Sequence, residues 1–173
     1  SFSSYAALIP LFENSSTIFR AASGMPSFFT SGKIATFTGA SRAWRRRTVQ
    51  ALALAPGARV LDICTGTGDL ALEIEAAIRT SGGRVTGTDF TREMLVLGES
   101  KRRRQNARSL DFAAADSLRL PFPDETFDAV TVAFGIRNVC DLEGGLREML
   151  RVLKPGGVAA ILDRSPRPVK PFP

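Results

Sequence analysis

The sequence predicts an α/β protein built on a doubly wound, mainly parallel sheet. Short apolar runs that suit buried strands alternate with longer segments in which apolar residues recur at helical spacing. A glycine-rich turn, Cys64-Thr65-Gly66-Thr67-Gly68, joins the first of these strands to the helix that follows it. Strict alternation favours parallel strands, because each helical crossover returns the chain to the same end of the sheet. We therefore expect the ligand site at the carboxyl ends of the strands.

Composition indicates one domain preceded by a segment of a different kind. The 173 residues are enough for one hydrophobic core, and no apolar run approaches the length of a membrane span. Residues 1–50 carry six basic side chains and one acidic one, which accounts for most of the net charge of +6. The high pI is therefore a poor indicator of nucleic-acid binding, and we expect none. Since the chain has no histidine and only two cysteines, we also predict no metal site.

Residues 1–41 are predicted to be a leader, and residues 42–173 to form the domain. The leader is rich in Ser, Ala, Phe and Thr and nearly free of acid, as organellar transit segments are. A flexible leader with no targeting role fits the same composition. The first alternative predicts a mitochondrial or plastid protein, and the second predicts a cytoplasmic one.

The domain is expected to open with an amphipathic helix, Trp44–Leu54. Its apolar residues fall on one side and the run Arg45–Arg47 on the other, which we interpret as a solvated face, although an anionic membrane surface would also attract it. The predicted strands are Arg59–Ile63, Arg84–Thr88, Leu110–Ala115, Phe127–Phe134 and Val158–Leu162, and the predicted helices between them are Leu70–Arg79, Thr91–Gln105 and Leu142–Leu153.

Two of these helices carry more detailed predictions. Thr91 is expected to cap the helix Thr91–Gln105, whose apolar face would be formed by Met94, Leu95 and Leu97. The run Lys101–Arg104 stands at its C-terminal end, where cations suit the helix dipole. Lys154-Pro155-Gly156-Gly157 is expected to end the last helix before the final strand.

Acidic residues beside the glycine turn predict a cationic ligand. Asp62 lies in the strand before the turn, and Asp69 directly follows the turn. Two carboxylates would repel the pyrophosphate of a nicotinamide dinucleotide, although Ala71 stands where the third glycine of that fingerprint belongs. S-adenosylmethionine carries a sulfonium and an ammonium group, which carboxylates attract. We therefore predict S-adenosylmethionine as the cofactor, against the simpler alternative of a plain strand-to-helix turn.

Two further strand ends extend the predicted cofactor site. Asp89 lies 21 residues beyond Gly68, where an acid can accept hydrogen bonds from ribose hydroxyls. Asp116 would accept from the adenine amine, with Phe90 and Leu118 on the two faces of the ring. An isolated acid at a strand end also commonly caps a helix, so that simpler role stays open.

Four longer segments resemble one enzyme family. They read DICTGTGDLA, GTDFTREML, AADSLRLPFPDETFDAVTVAFGIRNV and LREMLRVLKPGG. These segments are similar to the ubiquinone/menaquinone biosynthesis C-methyltransferases, which are class I S-adenosylmethionine enzymes with a Rossmann-like fold. The resemblance covers roughly Trp44 to Pro168, and LPFPD-x-TFD and FGIRN are its most specific parts.

The resemblance implies C-methylation of a prenylated quinol ring in ubiquinone, menaquinone or phylloquinone biosynthesis, at a membrane surface. It places cofactor contacts at Thr67, Asp89, Asp116 and Ser117, and a further one at Ala133, where serine is common in the family. The full set of predicted cofactor residues is Asp62, Thr65, Gly66, Thr67, Gly68, Asp89, Phe90, Asp116, Ser117 and Ala133.

The predicted catalytic residues are Arg137 and Asn138, which follow the fourth strand of the predicted domain. Arg137 would stabilise a developing phenolate, and Asn138 would orient the quinol hydroxyl. A purely structural role for both residues in this turn fits the sequence equally well.

The chain also departs from the family pattern, and other functions stay open. The family continues for two strands beyond Val158–Leu162, so we expect the sheet to lack its last strands, and residues 1–41 lack the motifs that the family carries there. One alternative is a class I methyltransferase for another small molecule or for RNA. Another is a non-catalytic chain or scaffold within a quinone-biosynthesis complex, and either a homo-oligomer or such a complex suits the sequence.

Overall fold

The computed structural model describes residues 16–20 and 42–162, with side chains from Arg45 onward except that of Arg137. The strands are β1 (Ser16–Arg20), β2 (Arg59–Ile63), β3 (Arg84–Asp89), β4 (Leu110–Ala114), β5 (Phe127–Ala133) and β6 (Leu153–Leu162). The helices are α1 (Arg42–Leu52), α2 (Asp69–Ile78), α3 (Arg92–Arg104) and α4 (Leu142–Arg151), with 3-10 helices at Arg79–Ser81 and Ile136–Asn138. Within these ranges, none of the helices has the length and apolarity that crossing a membrane requires.

The six strands form one sheet in the order β1-β6-β5-β2-β3-β4. Strands β2 to β6 are parallel, as the alternation of strands and helices predicts. Their carboxyl ends therefore meet at one edge of the sheet, where β2 lies between β3 and β5. The fold class predicted from the sequence is confirmed.

Strand β1 was not predicted. It pairs antiparallel with β6, from Ser16 opposite Leu162 to Arg20 opposite Val158. Five residues without a neighbouring periodic element gave no signal that could be separated from the surrounding Ser- and Ala-rich segment. The rest of the predicted leader, residues 1–15 and 21–41, lies outside the described part of the chain.

Two apolar cores lie on opposite faces of the sheet. Successive strand residues point to opposite faces, so Val60 packs with the core of α1 and α2, while Leu61 packs with the core of α4. Leu52 of α1 is buried against the first core, and Met149 of α4 is buried against the second. Helices therefore cover both faces, as a doubly wound sheet requires.

Helix α3 contacts the sheet through a face different from the predicted one. Gly98 is buried, whereas the side chains of Met94 and Leu97 are 42% and 54% exposed. A Cβ atom at Gly98 would lie 3.1 Å from Cζ of Phe112 on β4, so the helix approaches the strand closely at this glycine. Of the three residues predicted to form the apolar face, Leu95 is half-buried, but the prediction is wrong for Met94 and Leu97, because a small residue makes the close contact with the sheet.

The last strand begins earlier than predicted. Strand β6 starts at Leu153 and includes Lys154-Pro155-Gly156-Gly157, a segment that the sequence predicts to separate helix from strand. The pairing of β5 with β6 shifts register between Phe127 and Ala129, so this part of β6 is an irregular strand. Helix α4 still ends just before it, at Arg151.

An ion pair on α4 holds the segment between β4 and β5. The guanidinium of Arg151 donates to the carbonyl oxygens of Leu120 at 3.0 Å and Phe122 at 2.8 Å, and to Asp124 Oδ1 at 2.7 Å. Glu148 accepts from the backbone N–H of Leu120 at 2.8 Å and pairs with Arg151 at 2.7 Å. The segments LPFPD and LREMLR, which are apart in the sequence, are thus bonded to each other in the fold.

Candidate functional site

The glycine loop leaves β2 through residues with left-handed backbone conformations. The φ angles of Cys64, Gly66 and Gly68 are 52°, 57° and 77°. A Cβ atom at Gly68 would lie 2.5 Å from Cζ of Phe112, so this position needs glycine for space as well as for conformation. At Gly66, by contrast, a Cβ atom would meet nothing within 4 Å, so the loop presents bare backbone there, just before α2, which begins without a side-chain cap.

Asp62 lies beneath this loop with only 1% of its surface exposed. Its Oδ2 accepts from the hydroxyl of Thr65 at 2.6 Å, and its Oδ1 accepts from the hydroxyl of Thr131 at 2.5 Å. Burial raises the pKa of Asp62 to about 6, although both hydrogen bonds lower it. Asp62 thus holds Thr65 in place and contributes negative charge from below, and direct contact with a ligand stays a prediction.

Asp89 connects the glycine loop to the start of α3. Its Oδ2 accepts from the backbone N–H of Gly66 at 2.8 Å, and its Oδ1 accepts from the backbone N–H of Thr91 at 2.8 Å. Thr91 occupies the N-cap position, as predicted, but its side chain forms no capping hydrogen bond. Each carboxylate oxygen can accept a further hydrogen bond, so the predicted ribose contact is compatible with this structural role.

The segment after β4 reaches the same end of the sheet. Asp116 is exposed, and its Oδ1 accepts from the backbone N–H of Leu118 at 2.9 Å. A Cβ atom at Gly144 would be 3.4 Å from Leu118, so this leucine lies against the first turn of α4, whereas Phe90 is 80% exposed. The predicted placement of adenine between Phe90 and Leu118 stays a prediction.

The pKa of the Cys64 thiol is affected first by burial and then by the charges of the site. Burial, together with the negative charges of Asp89, Asp62 and Asp116, raises the pKa of Cys64 to about 11. A hydrogen bond with the Ser117 side chain acts in the opposite direction. Three carboxylates from the ends of three neighbouring strands therefore make this position unfavourable for an anion, which suits a ligand that carries positive charge.

Lys101 makes a contact that the sequence did not reveal. Its ammonium donates to Thr67 Oγ1 at 2.6 Å and to Asp69 Oδ1 at 2.7 Å. Lys101 was predicted only to suit the C-terminal end of α3, and nothing in the run Lys101–Arg104 marks it out from its neighbours. This lysine offsets the charge of Asp69. The negative charge beside the loop therefore comes from Asp62, as predicted, and from Asp89 in place of Asp69.

The turn after β5 lies beside the glycine loop. Phe134 has a φ of 58°, and its N–H donates to the carbonyl oxygen of Leu162 at 2.7 Å. Any Cβ atom at Gly135 would overlap that of Cys64, so the two turns are in close contact.

The remaining predicted residues follow from this turn. Ala133, at the end of β5, is half-buried against the core of α1 and α2, and Asn138 is exposed in the 3-10 helix. The side chain of Arg137 lies outside the described residues. The catalytic roles of Arg137 and Asn138 stay predictions.

Three comparisons relate the chain to known proteins. Residues 33–172 match the model of the ubiE/COQ5 methyltransferase family. The chain is 48% identical over 128 residues to the ubiquinone/menaquinone biosynthesis C-methyltransferase UbiE of Geotalea daltonii, a match that covers 73% of this chain and 54% of that protein. It is 50% identical over 137 residues to the demethylmenaquinone methyltransferase of Thermus thermophilus, with 78% of this chain and 60% of that protein covered.

A solved structure supports the fold. A SAM-dependent methyltransferase from Aquifex aeolicus has a TM-score of 0.65 to this chain at 24% identity, over 75% of this chain and 68% of that one. The chain spans between 54% and 60% of the two curated relatives named above. Because the family model matches residues 33–172 and both relatives are close to half identical, the chain belongs to the ubiE/COQ5 methyltransferase family.

Proposed function

We propose that this protein transfers a methyl group from S-adenosylmethionine to a ring carbon of a prenylated quinol. The observation that carries the proposal is the convergence of Asp62, Asp89 and Asp116 around Cys64, next to a loop whose backbone is left bare by glycine. The relatives support the reaction, since one is named for ubiquinone and menaquinone biosynthesis and the other for demethylmenaquinone.

The residues of the site fit S-adenosylmethionine. Their carboxylates suit its sulfonium and ammonium groups, and Gly66 leaves open space against the loop, since a Cβ atom there would meet nothing within 4 Å. Asp89 would hold the ribose hydroxyls through the lone pairs that its two backbone bonds leave free. Thr67 would hold the amino-acid part, and Asp116 and Ser117 would hold the adenine. When bound, the cofactor supplies a methyl group that is already strongly electrophilic because it is attached to positively charged sulfur.

The protein's own task is then to orient the quinol, exclude water and assist loss of a proton. A ring carbon that gains a methyl group must lose its hydrogen, and ionisation of the neighbouring hydroxyl makes that carbon a better nucleophile. Strand β5 lies next to β2, so the turn that carries Arg137 and Asn138 is beside the glycine loop. We propose that Arg137 stabilises the quinol oxyanion and that Asn138 orients the hydroxyl.

The substrate class also suggests where the protein works. A prenylated quinol is apolar enough to reside in a bilayer, so we propose that the protein acts at a membrane surface as a peripheral protein. If the predicted leader is a transit segment, that membrane belongs to a mitochondrion or plastid.

The first test is calorimetric binding of S-adenosylmethionine to the purified chain and to an Asp89→Asn variant. Asp111→Asn, an exposed acid on β4, is the matched control. We expect the loss of a charge-assisted hydrogen bond at Asp89 to weaken binding roughly tenfold or more, and the control to bind normally. Absence of binding to the folded wild type, or equal binding by Asp89→Asn, would overturn the proposed cofactor site.

The second test is methyl transfer itself. The chain would be supplied with methyl-labelled cofactor and with a reduced prenylated naphthoquinol or benzoquinol in detergent, and label in the extracted quinone would be measured. We expect label in at least one of the two products, and the preferred ring defines the substrate class.

A chain that binds the cofactor without turnover is the second candidate. Ala133 favours it, since its methyl group cannot form the hydrogen bond that the family resemblance places there. Binding by calorimetry together with no label in either quinone would select this candidate. Introducing Ala133→Ser would then test whether the missing hydroxyl is the reason.

A further inference from the structure

We propose that Lys101 is a positioning residue that holds the glycine loop in its binding shape before any ligand arrives. The proposal rests on the proposed function, because it treats this loop as the cofactor site. Lys101 lies on α3, and its ammonium bridges Thr67 Oγ1 at 2.6 Å and Asp69 Oδ1 at 2.7 Å. It therefore joins two residues of the loop end to a helix that follows in the chain.

The position of Lys101 on α3 explains why this basic residue reaches the loop. Gly98, one turn earlier, lets the helix approach Phe112 closely, and the ring of Phe112 also lies next to Gly68. The helix and the loop thus share one aromatic neighbour. The two following arginines are engaged elsewhere, because Arg102 and Arg103 both pair with Glu99 at 2.6 Å and 2.8 Å.

Three successive loop residues are each held by a charged side chain from a different element. Asp62 of β2 accepts from the Thr65 hydroxyl, Asp89 of β3 accepts from the Gly66 N–H, and Lys101 of α3 donates to the Thr67 hydroxyl. Glycine-rich backbone has more freedom to lose on ordering than any other, so such a loop needs external contacts to keep one shape. Lys101 supplies the third contact, and it adds a charge of the opposite sign.

The same contact determines the direction of the hydrogen bonds that the Thr67 hydroxyl can form. An ammonium group can only donate hydrogen bonds, so the Thr67 oxygen must accept from Lys101. The hydroxyl proton of Thr67 is then available to donate to a ligand oxygen. Lys101 therefore prepares Thr67 to recognise an acceptor group, and a carboxylate is the acceptor that the predicted cofactor offers.

If Lys101 holds the loop in shape, its replacement should change both the affinity for the cofactor and the hydrogen exchange of the loop. Lys101→Met keeps the aliphatic stem and removes the donors, and Arg104→Met on the same helix is the matched control. Calorimetry would give the dissociation constant for S-adenosylmethionine. Hydrogen exchange of the ligand-free chain would report the Gly68 amide, which donates to the Thr65 carbonyl at 2.9 Å. We expect Lys101→Met to weaken binding about tenfold and to speed Gly68 exchange about three- to tenfold, with neither change in the control.

A second variant keeps the test decisive if Lys101→Met folds poorly. Thr67→Val removes the acceptor without changing the charge, and it should speed Gly68 exchange in the same way. Lys101→Arg keeps the charge and the donors, and it should recover part of both effects.

The outcomes separate this proposal from the proposed function. A wild-type chain that binds no cofactor overturns the proposed function, while faster Gly68 exchange in Lys101→Met would still support the positioning role. Unchanged exchange in Lys101→Met overturns that role whatever happens to affinity, since a loss of affinity alone would mark a direct ligand contact instead.

Discussion

Acidic residues at the two ends of the parallel sheet have different kinds of partner. At the amino ends of the strands, Asp128 accepts from the Lys154 ammonium at 2.7 Å and from the Arg59 N–H at 2.8 Å. At the carboxyl ends, Asp62 accepts from two hydroxyls and Asp89 accepts from two backbone N–H groups. At the amino ends Asp128 pairs with a cation, whereas at the carboxyl ends neutral groups hold Asp62 and Asp89, although Asp69 there pairs with Lys101.

The two arrangements have opposite effects on the pKa. Burial alone would raise the pKa of Asp128, but the bonds from Arg59 and Lys154 outweigh it and lower that pKa. At the carboxyl ends, burial prevails and raises the pKa of Asp62 to about 6. The comparison teaches that the charge of Asp128 is offset by a cation where it supports the fold, whereas the charge of Asp62 is kept where a cationic ligand is proposed to bind, at a cost in stability.

The largest effect is expected from removing a paired charge outside the site. Arg151→Met breaks the bonds to Glu148 and Asp124 and to two carbonyl oxygens, and it leaves Glu148 without its cation. We expect a loss of about 3 kcal/mol in the free energy of unfolding, measured by urea titration. Arg147→Met on the same helix, whose partner Glu143 is also exposed, should change stability by less than about 0.5 kcal/mol. Equal losses in the two variants would contradict the role of Arg151 in holding the segment between β4 and β5.

The second prediction concerns the pH dependence of stability and tests Asp62, which is held by hydroxyl groups. The pKa of Asp62 is about 6 in the folded protein and 3.8 as the reference value, so the folded state binds the extra proton between these values. Stability from this group is therefore present below about pH 4 and is lost as the pH rises through about 6, by roughly 2–3 kcal/mol.

Urea unfolding at several pH values would reveal this dependence. Asp62→Asn should abolish the fall between about pH 4 and 6. Asp128 and Glu148 have lowered pKa values, so their contribution has the opposite sign, being present at neutral pH and lost as the solution becomes more acidic. If the free energy of unfolding had the same slope against pH in the wild type and in Asp62→Asn, burial of the Asp62 carboxylate would carry no such cost in stability.

The third prediction compares two glycines of one loop. Alanine at Gly68 or Gly66 would have an unfavourable positive φ, but only at Gly68 would the new Cβ also meet the Phe112 ring, at 2.5 Å. We expect Gly68→Ala to lose about 1–2 kcal/mol more stability than Gly66→Ala. Thermal unfolding of the two variants checks this difference. Similar melting temperatures would mean that Phe112 moves aside without cost.

The smallest effect is a difference in alkylation rate between two thiols of the same protein, which does not involve its stability. The raised pKa of about 11 keeps Cys64 protonated at neutral pH, whereas Cys140 is exposed. We expect alkylation of Cys64 by iodoacetamide to be at least roughly tenfold slower at about pH 8, and its rate to rise up to about pH 11. Peptide mass spectrometry distinguishes the two cysteines. A rate that levels off near about pH 9 would show that neither burial nor the nearby carboxylates raise the pKa of this thiol.

Local pattern was sufficient to predict most of the sheet. The bounds of β2, Arg59–Ile63, are those predicted from the apolar run, β3 extends one residue further than predicted, and α3 is one residue shorter than predicted at each end. These elements carry their signal within a few consecutive residues, as apolar runs or helical periodicity. Strand β1 has no such context, and its partner lies at the other end of the chain.

The chemistry of the site was predictable in kind but not in detail. The glycines and acids pointed to a cationic cofactor, and the place of Asp62 inside an apolar strand agrees with its burial, yet the sequence did not show that its partners are Thr65 and Thr131. Lys101 contacts residues at least 32 positions earlier in the chain, and the ring of Phe112 lies next to Gly68 in the loop, Gly87 on β3 and Gly98 on α3. Such contacts follow from the way the elements pack, and single-sequence periodicity carries no information on them.

The antiparallel pairing of β1 with β6 has a consequence for the order in which the protein folds. Ser16 lies opposite Leu162, so this pair closes a far longer loop than any pair among the parallel strands of residues 59–162. Closure of a longer loop costs more entropy, and non-local pairing slows folding, so we expect this edge to form last. Until it does, β6 presents unpaired backbone groups, and a nascent chain at high concentration could recruit the β1 strand of a neighbour in place of its own.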